Sequence, residues 1–119
     1  MNVAILGASN KPERYSYMAL QRLRAHGHVV FPVHPTLSSI DGVPVFRDLD
    51  SIPEAIDTLT LYVGQEISTK QLEKIIRLKP RRVICNPGAE NFELEKALSA
   101  LGIQVDQACT LVLLGTNQF

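Results

Sequence analysis

The sequence predicts a doubly wound α/β fold, in which a mainly parallel five-stranded sheet lies between two layers of helices. Three observations support this prediction. Five short apolar runs recur along the chain, and segments with helical periodicity separate them. No repeat, low-complexity tract or linker-like stretch divides the chain, and 119 residues suit one domain spanning 1–119.

The five apolar runs have the uniformly apolar character of parallel strands that are covered on both faces. They span residues 3–6, 28–33, 58–63, 81–85 and 103–106. Pro32 lacks an N–H group for a sheet ladder, so we expect the end of the second strand to leave the sheet. Crossovers of about 12 residues or more between the runs predict right-handed βαβ units.

Capping signals locate the first helix and a shorter helical turn. The first helix spans about 16–26, and Gly27 stops it because glycine suits a left-handed C-cap. The shorter turn spans 51–56, where Ser51 and Glu54 have the spacing of a capping box.

The next helix carries the clearest start signal in the chain. Ser68 and Gln71 have capping-box spacing, and Ile67 and Leu72 stand at hydrophobic-staple positions on either side. Pro80 ends this helix.

The fourth helix starts near Asn91 and ends at Gly102. Its predicted buried positions are Leu94, Ala97, Leu98 and Leu101. The final segment, "CTLVLLGTNQF", is apolar enough to pack on the sheet, and its pattern does not decide between helix and strand.

Composition narrows the classes of function. Twelve Lys and Arg residues balance twelve Asp and Glu residues, whereas binding to nucleic acid or an acidic membrane surface rests on a basic excess. Apolar runs stop far short of the ~20 residues that cross a bilayer, so we expect a cytoplasmic protein. Cys85 and Cys109 are predicted to be thiols, with a mixed disulfide to a thiol ligand at Cys109 as the alternative.

The loop "GASNKPERYS" after the first strand has the features of an anion-binding turn. Gly7 permits a tight turn, and Ser9 and Ser16 supply hydroxyls. Ser16 is the predicted N-cap of the first helix, whose free N–H groups and dipole favour an anion. Lys11 and Arg14 add positive charge, while a plain strand-to-helix turn stays the alternative.

The same loop is a poor match for NAD. Only the first glycine of a GxGxxG fingerprint is present, and no Asp or Glu follows the second strand, which ends "PVHPT". His34 instead stands at the predicted crevice, where it can stack on an adenine, donate to a phosphate or simply leave the sheet.

Two further loops meet at this edge of the sheet. Gly64 follows the third strand, and "NPG" at 86–88 follows the fourth, where plain turns are again the alternative. No Ser, His and Asp arrangement or paired carboxylates for catalysis is recognisable in these loops. His26 and His28 lie toward the opposite end of the sheet, and no metal site is predicted.

Four segments together resemble the CoA-binding domain family, the single-domain relatives of the N-terminal CoA-binding domain in the succinyl-CoA synthetase α subunit. The resemblance covers nearly the whole chain. It rests on "GASNKPERYS", "GHVVFPVHP", "IDGVPVFRDLDSIPE" and "ICNPGAEN".

The resemblance implies a Rossmann-like, three-layer αβα domain that binds CoA or an acyl-CoA across the carboxyl edge of its sheet. The residues implied for the phosphates are Gly7, Ala8, Ser9, Arg14 and Ser16. Those implied for the adenosine part are Val33, His34 and Pro35. Those implied for the pantetheine path are Gly64, Asn86, Pro87 and Gly88.

The resemblance also implies a binding module that is not itself an enzyme. The ligase relatives use a phosphorylated histidine on a second domain, whereas all three histidines here lie within the first 34 residues. We therefore expect a non-catalytic sensor or accessory protein. Its expected partners are further copies of itself in a homo-oligomer or another protein. The alternatives are an NAD(P)- or other nucleotide-binding enzyme and an interaction module with a vestigial crevice.

Overall fold

The computed structural model describes residues 1–119 and alternates strands with helices along the chain. The strands are β1 Asn2–Leu6, β2 Val29–Val33, β3 Ser39–Ile40, β4 Val43–Pro44, β5 Thr58–Leu61, β6 Arg82–Cys85 and β7 Gln104–Gln107. The helices are α1 Tyr15–Ala25, α2 Gln65–Lys70, α3 Leu72–Leu78, α4 Phe92–Ala100 and α5 Thr110–Gly115, with a 3₁₀ turn at Leu49–Ser51. None of these helices has the length or apolar character needed to cross a membrane.

Five strands form one parallel sheet in the order β2-β1-β5-β6-β7. The chain runs outward from β1 to β2 and then returns to place β5 on the other side of β1. The strand order therefore reverses between β1 and β5, where ligands bind in doubly wound sheets. This topology confirms the predicted fold class.

The sheet separates two apolar cores, because alternate strand residues face opposite sides. In β1, Ala4 and Leu6 join a core of 14 buried residues, whereas Val3 and Ile5 join a core of nine on the other face. Helix α1 packs into the smaller core through Leu20 and the neighbouring buried apolar residues. Both faces of the sheet are covered, as the apolar runs predicted.

Pro32 stays in the sheet, contrary to the sequence prediction. It pairs with Ile5, and β2 continues to Val33. The carbonyl of Pro32 accepts from the N–H of Phe46 at 2.9 Å, on the side away from β1. Because a residue's N–H and C=O point to the same side of a strand, the missing N–H of Pro32 falls outside the ladder on this edge strand.

The hairpin β3–β4 packs beside β2, the edge strand of the sheet. Asp41 and Gly42 both have positive φ (48° and 79°), which a two-residue type I′ turn requires. The Asp41 carboxylate accepts hydrogen bonds from the Tyr17 hydroxyl and the Gln21 amide of α1. The hairpin is thereby fixed to the first helix.

Ser16 is not the N-cap of α1, so this prediction from the sequence is wrong. Helix α1 starts one residue earlier, with Arg14 as an N-cap whose side chain makes no capping bond. The turn between Lys11 and Arg14, closed by a backbone bond of 3.0 Å, starts the helix early. Ser16 is therefore buried in the first helical turn.

The predicted Ser51–Glu54 capping box is also wrong. The capping box that forms joins Asp48 and Ser51 around the 3₁₀ turn, and the N–H of Ser51 donates to Asp48 Oδ1 at 3.1 Å. Ile52 is extended (ψ 122°) because Pro53 follows it and disfavours helical backbone there.

Ser68 likewise does not begin a helix. It lies inside α2, which starts after Gly64, and a second helix, α3, starts after Gln71. The Ser68 hydroxyl accepts from Asn91 Nδ2 at 2.8 Å, which draws that side chain inward. Ile67 is 51% exposed, so the predicted hydrophobic staple does not form.

Helix α4 mostly follows its prediction. Asn91 is the N-cap and its side chain accepts from the N–H of Leu94 at 3.1 Å, while Leu94 and Leu98 are buried. Ala97 is half-buried, and Leu101 is 58% exposed because it lies just beyond the end of the helix. The final apolar segment, left open above, forms the short helix α5.

Candidate functional site

The largest cavity, about 550 Å³, opens at the carboxyl ends of β1, β2, β5 and β6. Its volume is typical of small-molecule sites. Its lining residues are Gly7, Ala8, Ser9, Asn10, Lys11, Arg14, Tyr15, Ser16, His34, Leu37, Tyr62, Val63, Gly64, Pro87, Gly88 and Ala89.

Gly7 allows the first loop to lie directly against the end of β5. Its φ is +89°, and a Cβ atom there would stand 2.8 Å from Val63 Cγ1 and 3.0 Å from the Tyr62 carbonyl oxygen. Any other residue would meet both backbone strain and a steric clash. The glycine therefore sets the floor of the cavity.

The loop from Gly7 to Ser16 offers several free backbone donors. The Ser9 hydroxyl accepts from the N–H of Lys11 at 3.1 Å, which folds the loop back on itself. The N–H groups of Ser9, Asn10, Tyr15 and Ser16 have no acceptor within the protein. Those of Tyr15 and Ser16 lie at the N-terminus of α1, where the helix dipole adds positive potential.

Two cations complete this side of the cavity. Lys11 and Arg14 are exposed, and neither forms an ion pair with any carboxylate of the protein. No Asp or Glu lines the cavity. The local field is therefore positive, although the whole chain has a formal net charge of zero.

His34 faces the cavity as a hydrogen-bond donor. Its Nδ1 accepts from the backbone N–H groups of Thr36 and Leu37, each at 3.1 Å. Because Nδ1 is an acceptor in a neutral imidazole, the proton lies on Nε2. The ring is thus fixed in position and suited to an anionic or acceptor group.

Tyr62 is one of the residues that line the cavity. Its hydroxyl is buried and has no hydrogen-bond partner. Burial raises the pKa of this hydroxyl to about 12. The nearby hydroxyls of Thr60 and Thr110 oppose the rise only in part, since they bond to each other at 2.8 Å. Tyr62 therefore stays protonated.

A tight turn after β6 forms the far wall of the cavity. The N–H of Ala89 donates to the Asn86 carbonyl at 2.8 Å, with Pro87 and Gly88 (φ +92°) between them, as in a type II turn. The N–H of Gly88 donates to Glu90 Oε1 at 2.9 Å. Small residues thus form this end of the cavity.

Asn86 has a structural position outside the cavity. Its amide donates to Thr60 Oγ1 at 2.6 Å and to the Leu61 carbonyl at 2.9 Å, and it accepts from the N–H of Thr110 at 2.8 Å. Asn86 is only 1% exposed. This buried side chain therefore ties β5 and β6 to the start of α5.

Nine of the twelve predicted site residues line the single cavity, although their contacts with a ligand stay predictions. They are Gly7, Ala8, Ser9, Arg14, Ser16, His34, Gly64, Pro87 and Gly88. Of the other three, Asn86 is described above, Val33 is buried in the larger core, and Pro35 lines a neighbouring, smaller hollow.

Six lining residues were not singled out from the sequence, namely Asn10, Tyr15, Leu37, Tyr62, Val63 and Ala89. All lie within three residues of a predicted one, so proximity in the same loops was the available signal. Cys85 and Cys109 are free thiols, as predicted, and neither lines the cavity.

A parallel sheet with a donor-rich glycine loop at its switch point is the arrangement of Rossmann-like α/β domains. Comparison with known families makes this more particular. The model of the CoA binding domain matches residues 1–115, and the chain belongs to that family.

Curated relatives match this chain over only part of their length. An uncharacterized protein of Bacillus subtilis, YneT, is 30% identical over 64 residues, covering 54% of this chain and 47% of that protein. The α subunit of the ADP-forming acetate–CoA ligase II of Pyrococcus furiosus is 27% identical, over 59% of this chain and 16% of the subunit. The chain thus spans less than half of these relatives.

Solved structures match over nearly the whole fold. A crystal structure of an uncharacterized protein is 41% identical, with a TM-score of 0.93 over 99% of this chain and 97% of its own. A protein of Thermus thermophilus is 29% identical, with a TM-score of 0.90 over 99% and 90%. Both structures therefore share the fold described above.

Proposed function

We propose that this protein binds CoA or an acyl-CoA in the cavity at the carboxyl edge of its sheet. One observation carries the proposal. The loop from Gly7 to Ser16 collects two unpaired cations and four free N–H groups around a cavity without a carboxylate. Membership of the CoA binding domain family supports CoA as the phosphate compound that binds there.

The positive side of the cavity fits the phosphates of CoA. Its diphosphate would accept from the free N–H groups of Ser9, Asn10, Tyr15 and Ser16, in the manner of anions at helix N-termini. Lys11 and Arg14 are exposed cations whose charge would balance the remaining phosphate charge.

The two flanks of the cavity differ in a way that fits the two halves of CoA. His34 and Leu37 offer a ring and an apolar side chain on the β2 side, which suits adenosine. On the β5 and β6 side, Gly64, Gly88 and Ala89 leave a narrow path with little side-chain volume. A thin pantetheine chain suits that path.

We further infer a non-catalytic role, as a cytoplasmic sensor or accessory protein. His34 accepts backbone hydrogen bonds at Nδ1 and is protonated at Nε2, so it is a donor and not a base. Burial raises the pKa of the Cys85 thiol to about 11, which leaves it unreactive. Relatives that are ligase subunits support a partner protein or an oligomer.

The nicotinamide alternative is not favoured. The cavity has no acidic side chain to accept from ribose hydroxyls, and β2 leads instead into His34 and Pro35. A bound NAD would therefore lack the contact that usually distinguishes it.

Calorimetric titration with CoA, dephospho-CoA, ATP and NAD tests the proposal. We expect CoA to bind more tightly than the other three, and ligand at 100 times its Kd to stabilise the fold by ~2.7 kcal/mol. Absence of binding by all four would overturn the proposal. Turnover of acetyl-CoA, measured as loss of the thioester, would overturn the non-catalytic role alone.

A further inference from the structure

We propose that Glu90 makes the site selective for CoA and acyl-CoAs with a neutral acyl group, and disfavours acyl groups that end in a carboxylate. This inference rests on the proposed function, because it concerns the end of the same ligand. It assigns a specificity role to a residue outside the lining of the cavity.

The position of the carboxylate is the first step. Glu90 Oε1 accepts from the N–H of Gly88 at 2.9 Å, and Gly88 lines the cavity. The cations Lys11 and Arg14 lie on the loop after β1, whereas Glu90 lies on the turn after β6. The two ends of the cavity therefore differ in the sign of their charge.

No cation compensates Glu90 on the neighbouring segments. Glu90 takes part in none of the ion pairs of the protein, whereas Glu66 of α2 pairs with Lys70 at 4.0 Å, and residues 84–95 contain no Lys or Arg. Burial mainly raises the pKa of Cys85, but the charges of Glu95 and Glu90 raise it further. This thiol at the end of β6 thus senses a negative field.

Exposed apolar side chains accompany this negative charge. Phe92 is 73% exposed at the start of α4, and Ile67 is 51% exposed on α2. The two helices are held together by Asn91, whose Nδ2 donates to Ser68 Oγ at 2.8 Å and to Thr69 Oγ1 at 2.9 Å. We expect an uncharged acyl chain that leaves the β6 end to reach these apolar side chains, and an anionic one to approach the Glu90 carboxylate.

Butyryl-CoA and succinyl-CoA are a matched pair for the test, since their acyl chains have equal length and differ at the terminal methyl or carboxylate. Two like charges ~4 Å apart in water repel each other by ~1 kcal/mol, and this repulsion corresponds to about a fivefold loss of affinity. By calorimetry we expect butyryl-CoA to bind about five times more tightly than succinyl-CoA.

Glu90→Gln keeps an oxygen acceptor for Gly88 and removes the charge. We expect this variant to reduce the preference for butyryl-CoA to less than about twofold. Glu93→Gln makes the same charge change in the first turn of α4, where the carboxylate makes no hydrogen bond to a residue of the cavity, and we expect it to retain the preference. Melting temperatures of both variants check that the fold is intact.

The outcomes separate the two proposals. Equal affinity for the two acyl-CoAs, or a preference that persists in Glu90→Gln, would overturn the specificity role while CoA binding stands. A loss of preference in Glu93→Gln as large as in Glu90→Gln would also overturn it, because the charge of Glu90 would not be special. Failure of unacylated CoA to bind would reject the proposed function itself, and this inference with it.

Discussion

The two edges of the sheet treat their polar groups in opposite ways. At the amino edge, Arg81 Nε donates to Asp57 at 3.0 Å, and Thr58 donates to the same carboxylate at 2.6 Å. Arg82, which is only 6% exposed, donates to Thr58 Oγ1 at 3.3 Å and lies over the Phe119 ring. These charged and hydroxyl side chains have partners within the fold.

The carboxyl edge leaves comparable groups without partners. Lys11 and Arg14 have no ion pair, and four N–H groups of the same loop have no acceptor. A protein that left such groups open for no reason would forgo stabilising bonds, so the contrast supports the ligand site proposed at this edge. The amino edge serves stability.

The largest effect that tests this comparison is expected at the floor of the cavity. Gly7→Ala combines a left-handed backbone strain of ~1–2 kcal/mol with a clash that costs a further ~1–3 kcal/mol. Gly27→Ala is the matched control at the amino edge, since its φ is +85° but a Cβ there meets nothing within 4 Å. Urea unfolding should show a clearly greater loss for Gly7→Ala, and equal losses would contradict the close contact.

The next effect concerns the one part of the carboxyl edge that is fully satisfied. Asn86→Ala leaves the buried Thr110 N–H without an acceptor and removes a side-chain donor from Thr60 Oγ1 and from the Leu61 carbonyl, at a cost of about 1–3 kcal/mol. Asn10→Ala removes the same amide from an exposed cavity residue and should change stability by less than about 0.5 kcal/mol. Similar free energies of unfolding for both variants would show that the Asn86 network is not stabilising.

These two asparagines also show what the sequence can and cannot predict. The apolar runs and turn residues were enough for the fold class and for the edge of the sheet that holds the cavity, because burial pattern and turn chemistry are local properties. The full set of site residues came from the family resemblance. The direction of the Asn86 side chain depends on Thr60 and Thr110, which are distant in sequence. The position of Asn86 in the loop predicted that it lies at the site, whereas its tertiary hydrogen bonds hold the side chain outside the cavity.

Helix starts failed for a related reason. Ser16, Ser51 and Ser68 all have the residue type of an N-cap, but only backbone geometry decides which serine caps a helix. A turn at Lys11 starts α1 early, and Asn91 draws Ser68 inward from another helix. By contrast Asn91 was correctly predicted as a cap, since no competing partner takes its oxygen.

A smaller effect is expected on affinity, and it tests whether the unpaired cations serve a ligand. Lys11→Ala and Arg14→Ala should each weaken CoA binding about five- to tenfold, since both lose a charge-assisted contact that water partly screens. Arg24→Ala removes the same charge from the far end of α1 and should leave affinity unchanged. Stability should change little in all three variants.

Ionic strength gives an independent check on these cations. Added salt should weaken CoA binding to the unmodified protein. It should weaken binding less in a variant that carries both Lys11→Ala and Arg14→Ala, because fewer charges are then screened. Unchanged affinity in Lys11→Ala and Arg14→Ala would remove the phosphate assignment for these two side chains. An equal loss in Arg24→Ala would show a general charge effect instead of a site.

The smallest effect should be the loss of folding free energy at acid pH that is linked to His28, a partly buried ring at the amino edge. Burial lowers the pKa of His28 from its ordinary value of 6.5, and the charges of the Met1 ammonium, His26 and Arg82 lower it further. The unfolded chain therefore binds a proton first, so the stability linked to His28 is complete above about pH 6.5 and is lost as pH falls through the lower folded value. Unfolding free energies measured between about pH 7 and pH 5 should fall more steeply for the unmodified protein than for His28→Gln. A slope that is the same in His28→Gln, or that is removed equally by His26→Gln, would contradict the role of His28 in closing this edge.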